Sequence, residues 1–275
     1  MLDLGTLSNA EVIYRANGSL HEQTWRAYPD GAPLAEAPVA LPEAILLRPR
    51  TLERFVAALY WVDALAERGH PIPPLVLPMI PGSRQDRINP SGDYLFTLKS
   101  VAKALNARRF PSVTVLDPHS DVGPALIDRC QVVAASFASD RKYDGVIAPD
   151  GGAEKRAYRI ASSLGVPLYH AWKSRDVKTG ALAGFGIEPL PAGNYLVVDD
   201  ICDGGGTFIG LADLIDARGA RADLYVTHGL FTKGTKPLLD RFACVFCTDS
   251  VIGDRPGVTI LPRCSAMLQS IRGTL

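Results

Sequence analysis

Short apolar runs alternate with stretches in which apolar residues recur at every third or fourth position. AILLR at 44–48 reads as a strand. TLERFVAALYWVDALAERG follows, with Thr51 as cap, Leu52, Phe55, Val56 and Leu59 on one helical face, and Gly69 as stop. PLVLPMI (74–80) predicts the next strand, the polar PGSRQDRINPSGD a loop, residues near 93–107 a helix, and SVTVLD (112–117) a third strand. The second half repeats the rhythm. DGVIAPD (144–150) runs into the helical GGAEKRAYRIASSLG, VPLYHAW (166–172) runs into a loop, and NYLVVDD runs through a glycine turn into TFIGLADLIDARGA. RADLYVTHG and ACVFCTDS predict further strands, and SAMLQSIRG a short closing helix. Strands alternating with helices in this way imply α/β architecture with mainly parallel sheets flanked by helices.

The rhythm falls into two blocks separated by the less regular 124–143. The expected division is therefore 1–130, 131–255 and a segment 256–275 that returns to the first block. Before residue 43 the signal is weak, apart from a β-hairpin predicted at Asn17-Gly18.

Composition narrows the functional classes. Lys plus Arg and Asp plus Glu number 29 each, so no net field draws the chain to nucleic acid or to a membrane. No apolar run approaches the length of a membrane span, and MLDLGTLSNAEVIYRANG lacks the basic-then-apolar order of a signal peptide. Five irregularly spaced cysteines do not form a disulfide framework, and CVFC (244–247) reads as reduced thiols in a strand. The expected compartment is the cytoplasm.

The chemistry concentrates in LVVDDICDGGGTF (196–208). Asp199 and Asp200 are adjacent carboxylates at the mouth of an apolar run, where like charges repel and call for a cation or for hydroxyls. Gly204, Gly205 and Gly206 permit a tight turn, and the helix opening at Thr207 offers unpaired N–H groups that suit a phosphate. Acids followed by such a nest suit a phosphorylated sugar; the plain alternative is a capped strand-to-helix turn.

This stretch resembles the sugar-phosphate loop shared by type I phosphoribosyltransferases and ribose-phosphate diphosphokinases. Other segments single out the diphosphokinases: PGSRQDRI, TVLDPHSD, VIAPDGGAEKRA, WKSRD, VTHGLF and FCTDS occur in that family's order. The resemblance covers roughly 28–272 and implies two tandem phosphoribosyltransferase-like domains. It also implies transfer of the β,γ-diphosphoryl group of ATP to the anomeric hydroxyl of ribose 5-phosphate, with AMP released. In that reading Lys173 and Arg175 are catalytic cations, and Asp199, Asp200, Asp203, Gly204, Gly205, Gly206 and Thr207 hold the sugar phosphate. Arg84, Gln85, Asp86, Arg87 and His119 contact ATP, Gln85 and Asp86 through adenine or ribose, and His119 and Asp150 hold Mg2+. A homo-oligomer, dimer or higher, is implied too, because the family's adenine loop comes from a neighbouring subunit; its counterpart here is YPDGA, with Tyr28 and Asp30.

Two departures stand out. Ala32 occupies the place of an acid in the adenine loop, and Gly204-Gly205-Gly206 stands where the family has threonine-alanine-glycine. The lost hydroxyl removes a hydrogen bond worth about 1 kcal/mol. It also makes room, so a larger acceptor such as ADP-ribose, used by phage-type relatives for NAD salvage, is an alternative to ribose 5-phosphate. A type I phosphoribosyltransferase and a non-catalytic synthetase-associated subunit are the remaining alternatives.

Overall fold

The computed structural model describes residues 10–29, 32–88, 92, 95–175 and 182–271. The chain forms two compact units. The first comprises 1–133, 249–253 and 262–275, and the second 134–248 and 254–261. The sequence reading divides the chain after 130 and sets 256–275 apart. In the structure the last strand of the first sheet carries that unit to Val133, and 254–261 belongs to the second unit.

In the first unit β1 (Val12–Ala16) and β2 (Ser19–Gln23) form an antiparallel hairpin. Asn17 and Gly18, with φ of 49° and 73°, supply the left-handed turn it needs. A small antiparallel pair follows, β3 (Trp25–Ala27) with β4 (Pro33–Ala35). Then come β5 (Ala44–Leu47), α1 (Leu52–Glu67), β6 (Leu75–Val76), α2 (Thr97–Asn106), β7 (Val113–Leu116), the single turn α3 (Val122–Leu126) and β8 (Cys130–Val133). The sheet order is β2-β1-β5-β6-β7-β8, parallel from β5 onward. The Thr51 side chain accepts a hydrogen bond from the Arg54 N–H at 3.2 Å, capping α1. β6 is shorter than the apolar run 74–80, whose Pro78 lacks an N–H for the ladder.

Alternation along the strands splits the core. Val12, Tyr14, Ile45, Leu47 and Leu75 face α1 and α2, while Ile13, Ala44, Leu46 and Val76 face the other side. That second face is covered by the closing helix α7 (Cys264–Ser270), through Cys264, Met267 and Leu268. The buried Asp249 carboxylate accepts from the N–H groups of Arg263 (2.7 Å) and Cys264 (2.9 Å), so it caps α7 from a distant part of the chain. Arg48, also buried, donates to the Asp249 carbonyl at 2.8 Å.

The second unit contains β9 (Gly145–Ala148), α4 (Glu154–Leu164), β10 (Leu168–Arg175), β11 (Leu182–Ile187), β12 (Asn194–Cys202), α5 (Gly206–Asp216), β13 (Arg221–Gly229), α6 (Lys236–Leu239), β14 (Val245–Thr248) and β15 (Thr259–Leu261). Its order is β11-β10-β9-β12-β13-β14-β15, and only β10–β11 is antiparallel. Leu196, Val198 and Tyr225 pack toward α4; Val197, Leu224 and Val226 pack toward α5. β10 extends three residues past the expected 166–172 and pairs with β11, so Lys173 and Arg175 lie on a hairpin strand rather than in a loop. No helix among the described residues is long and apolar enough to cross a membrane.

Candidate active site

The central strand β12 runs through the acids and ends only at Cys202, so Asp199 and Asp200 sit inside the strand and not at its mouth, as the sequence alone suggests. Asp200 is buried, and its N–H donates to Asp199 Oδ1 at 2.8 Å. The cation that two such acids demand comes from the protein itself. Arg156, on the inward face of α4 and 7% exposed, reaches Asp199 Oδ1 at 3.5 Å and Asp200 Oδ2 at 3.8 Å. Its Nη1 also donates to the Gly152 carbonyl at 2.8 Å, tying the turn before α4 to the acid pair. In the same turn Asp150 Oδ1 accepts from the Gly152 N–H at 3.0 Å, and the Asp150 carbonyl accepts from the Ala153 N–H.

Burial, reinforced by the neighbouring Asp200 and only partly offset by Arg156, holds the Asp199 carboxyl well above the usual carboxylate range. Burial likewise pushes the Cys202 thiol up to about 12, leaving it an inert packing group.

Beyond Cys202 the chain turns through Asp203 and the glycines into α5. Gly205 caps that helix with φ 77° and ψ −5°, a left-handed conformation, and a Cβ there would lie 3.2 Å from the Leu238 side chain. The first-turn N–H groups of α5, Gly206 and Thr207 among them, have no carbonyl one turn earlier to bond. A Cβ at Gly206 would meet nothing within 4 Å, so this end of the helix is open. Asp203 is held by the turn after β13: its Oδ1 accepts from the Thr232 hydroxyl at 2.5 Å, and its carbonyl from the Thr232 N–H at 3.1 Å. The hairpin of β10 and β11 rests on the same helix, with the Phe185 ring lying against Gly210 where a Cβ would collide with it. The side chains of Lys173 and Arg175, and Asp30 as a whole, lie outside the described residues.

In the first unit a cavity of about 610 Å³ is lined by Gly82, Arg84, Gln85, Asp86, Arg87, Leu95 and His119. The two predicted nucleotide segments, SRQDR and DPHS, thus line one cavity. Asp86 lines this cavity with its carboxylate engaged by neighbouring side chains. It is buried, it accepts from Arg87 at 2.7 and 3.2 Å, and it is bonded to Ser120. The Arg87 hydrogen bond is the main reason its carboxyl is held below the usual range. Asp86 therefore positions the exposed Arg87 and the turn that bears His119. Gln85 Oε1 accepts a hydrogen bond from the Thr97 hydroxyl. Tyr28 is exposed, and its N–H closes the β3–β4 turn on the Ala32 carbonyl at 2.9 Å.

Arg156 is the residue that the sequence reading overlooks. It sits within PDGGAEKRA, and its signal is its spacing: Ala153, Ala157, Ile160 and Ala161 form the apolar face of α4, and Arg156 occupies that face. A charge in an apolar stripe needs a buried partner.

A parallel sheet whose central strand carries paired acids into a glycine turn and a helix N-terminus defines a phosphoribosyltransferase-type domain, and the phosphoribosyl transferase domain model matches residues 122–260, half of the chain. A ribose-phosphate pyrophosphokinase of Pyrococcus abyssi is 30% identical over 233 residues, covering 79% of this chain and 80% of its own. One from Methanopyrus kandleri is 28% identical over 271 residues, covering 90% and 89%. The fold is that of the phosphoribosylpyrophosphate synthetase from Mycobacterium smegmatis, with TM-score 0.74 and 22% identity over 90% of this chain and 88% of that one. The chain belongs to the ribose-phosphate pyrophosphokinase family, a family of transferases.

Proposed function

We propose that this chain transfers the diphosphoryl group of ATP to the anomeric hydroxyl of ribose 5-phosphate. The O1 of the sugar attacks the β-phosphorus, the bond from that phosphorus to the α-phosphate bridging oxygen breaks, AMP leaves, and the O1 proton passes to solvent. The observation that carries the reading is the acid pair on β12, balanced by Arg156 and followed directly by an open helix N-terminus. Asp199 and Asp200 bind the ribose diol, and the turn through Asp203, Gly204, Gly205, Gly206 and Thr207 takes the 5-phosphate. Arg84, Gln85, Arg87 and His119 receive ATP, with Tyr28 and Asp30 serving adenine in an oligomer. Lys173 and Arg175 supply positive charge to the transferring phosphates, since such a reaction depends on alignment and charge neutralisation.

Among the described residues no group of three or more His, Cys, Asp or Glu gathers to cage a cation. The His119 imidazole and the Asp150 carboxylate, each taken within its own unit, are ligand types that Mg2+ would accept beside substrate phosphates and water. Mg2+ held by the substrate phosphates would supply positive charge against the diphosphoryl group. The relatives above lend no support to ADP-ribose as the acceptor.

The test is AMP formation from ATP, Mg2+ and ribose 5-phosphate, followed by mass spectrometry of the sugar product. Replacing Asp199 and Asp200 together by Asn is expected to abolish saturable dependence on the sugar while leaving ATP binding intact. Absence of AMP from the parent protein, or unchanged sugar affinity in the double variant, refutes the assignment.

A further inference from the structure

The turn after β13 is fastened onto the glycine nest. The N–H groups of Leu230 and Phe231 donate to the Cys202 carbonyl at 2.9 and 3.1 Å, and Thr232 binds Asp203 through both its N–H and its hydroxyl. Phe231 and Gly234, with φ of 47° and 77°, bend the chain sharply on either side of Lys233. As a result the Lys233 stem crosses Gly204, with Cδ and Cε each 3.4 Å from the point a Cβ would occupy. Lys233 is exposed, and among the described residues it makes no hydrogen bond or ion pair. Asp203, by contrast, brings a carboxylate to the entrance of a nest meant for an anion. A phosphate dianion arriving there meets like charge unless a cation accompanies it.

We infer that Lys233 is that cation: a specificity-determining residue that selects phosphorylated over unphosphorylated sugar, admitted to the nest because residue 204 has no side chain. The inference rests on the assignment of this nest to a sugar phosphate.

Binding to the full chain, measured by calorimetry without turnover, separates the two claims. The probes are ribose 5-phosphate and ribose. Lys233→Gln is expected to weaken ribose 5-phosphate about tenfold, as for loss of one charge-assisted hydrogen bond, and to leave ribose unchanged. Lys233→Arg should restore most of the loss. In turnover the KM for the sugar phosphate should rise with little change in kcat, the mark of a uniform binding contact. Gly204→Val, which places side-chain atoms where the lysine stem lies without adding a hydroxyl that could bind phosphate, should reproduce the effect and add little to Lys233→Gln. Unchanged unfolding temperatures confirm that the variants are folded. If the parent binds ribose 5-phosphate and Lys233→Gln binds it within about twofold of the parent, the inference fails while the assignment of the nest stands. If the parent binds no ribose 5-phosphate, both fall.

Discussion

Replacing Arg156 by Met tests the electrostatic core of the second unit. Methionine keeps the stem volume on the apolar face of α4 but removes the guanidinium that reaches Asp199 and Asp200, at 3.5 and 3.8 Å. Breaking a buried pair from one side typically costs about 3–5 kcal/mol, and these distances are long, so the lower end, about 3 kcal/mol, is expected. The loss has a defined pH dependence. Asp199 already has a raised carboxyl pKa, and removing Arg156, which lowers it, raises it further. A group whose folded pKa is raised contributes stability below its unfolded pKa and loses that contribution as pH rises through the folded value. The deficit of Arg156→Met relative to the parent should therefore be large at alkaline pH and shrink as the medium becomes acidic. Urea unfolding of parent and variant across that range measures it, and Arg156→Met combined with Asp199→Asn should recover part of the loss. A deficit that is equal at all pH values, or one below about 1 kcal/mol, would refute the claim that Arg156 holds the acids together.

Two further outcomes are expected. Gly205→Ala forces a left-handed φ on a residue with a Cβ, 3.2 Å from Leu238, and should destabilise the second unit by about 1–2 kcal/mol. Gly206→Ala, facing open space, is the control, and equal urea midpoints for the two would contradict the backbone argument. Asp86→Asn should release Arg87 and weaken ATP binding in calorimetry. Because the Asp86 carboxyl is held below its ordinary value, its contribution to stability is present above that value and lost as pH falls through the lower one. The variant should thus lose the matching part of the acid unfolding limb.

What was legible before the structure follows from where the burial lies. β5, β7, β9 and β12 are buried on both faces and read as continuous apolar runs, and α1 announced itself through Thr51 and its spacing. β8 and β15 escaped because they lie at sheet edges with mostly exposed side chains. β11 escaped because LAGFGI carries two glycines; one of them, Gly186, has the Trp172 ring against it, a contact that only the tertiary fold creates. The acids, the glycine nest and the SRQDR and DPHS segments could be named from motif order. The burial of Asp86 and the partnership of Arg156 could not, because each depends on a neighbour distant in the fold or on a helix face, not on a motif.

The chain passes between its units at 133–134, 248–249, 253–254 and 261–262, and α7 covers Ile13, Leu46 and Val76. On the ribosome, one side of the first sheet therefore stays bare until residues 264–270 have emerged, long after the strands themselves were made. Truncated products would carry an unshielded greasy surface of the kind chaperones bind and proteases clear, so only chains translated through α7 complete the first sheet.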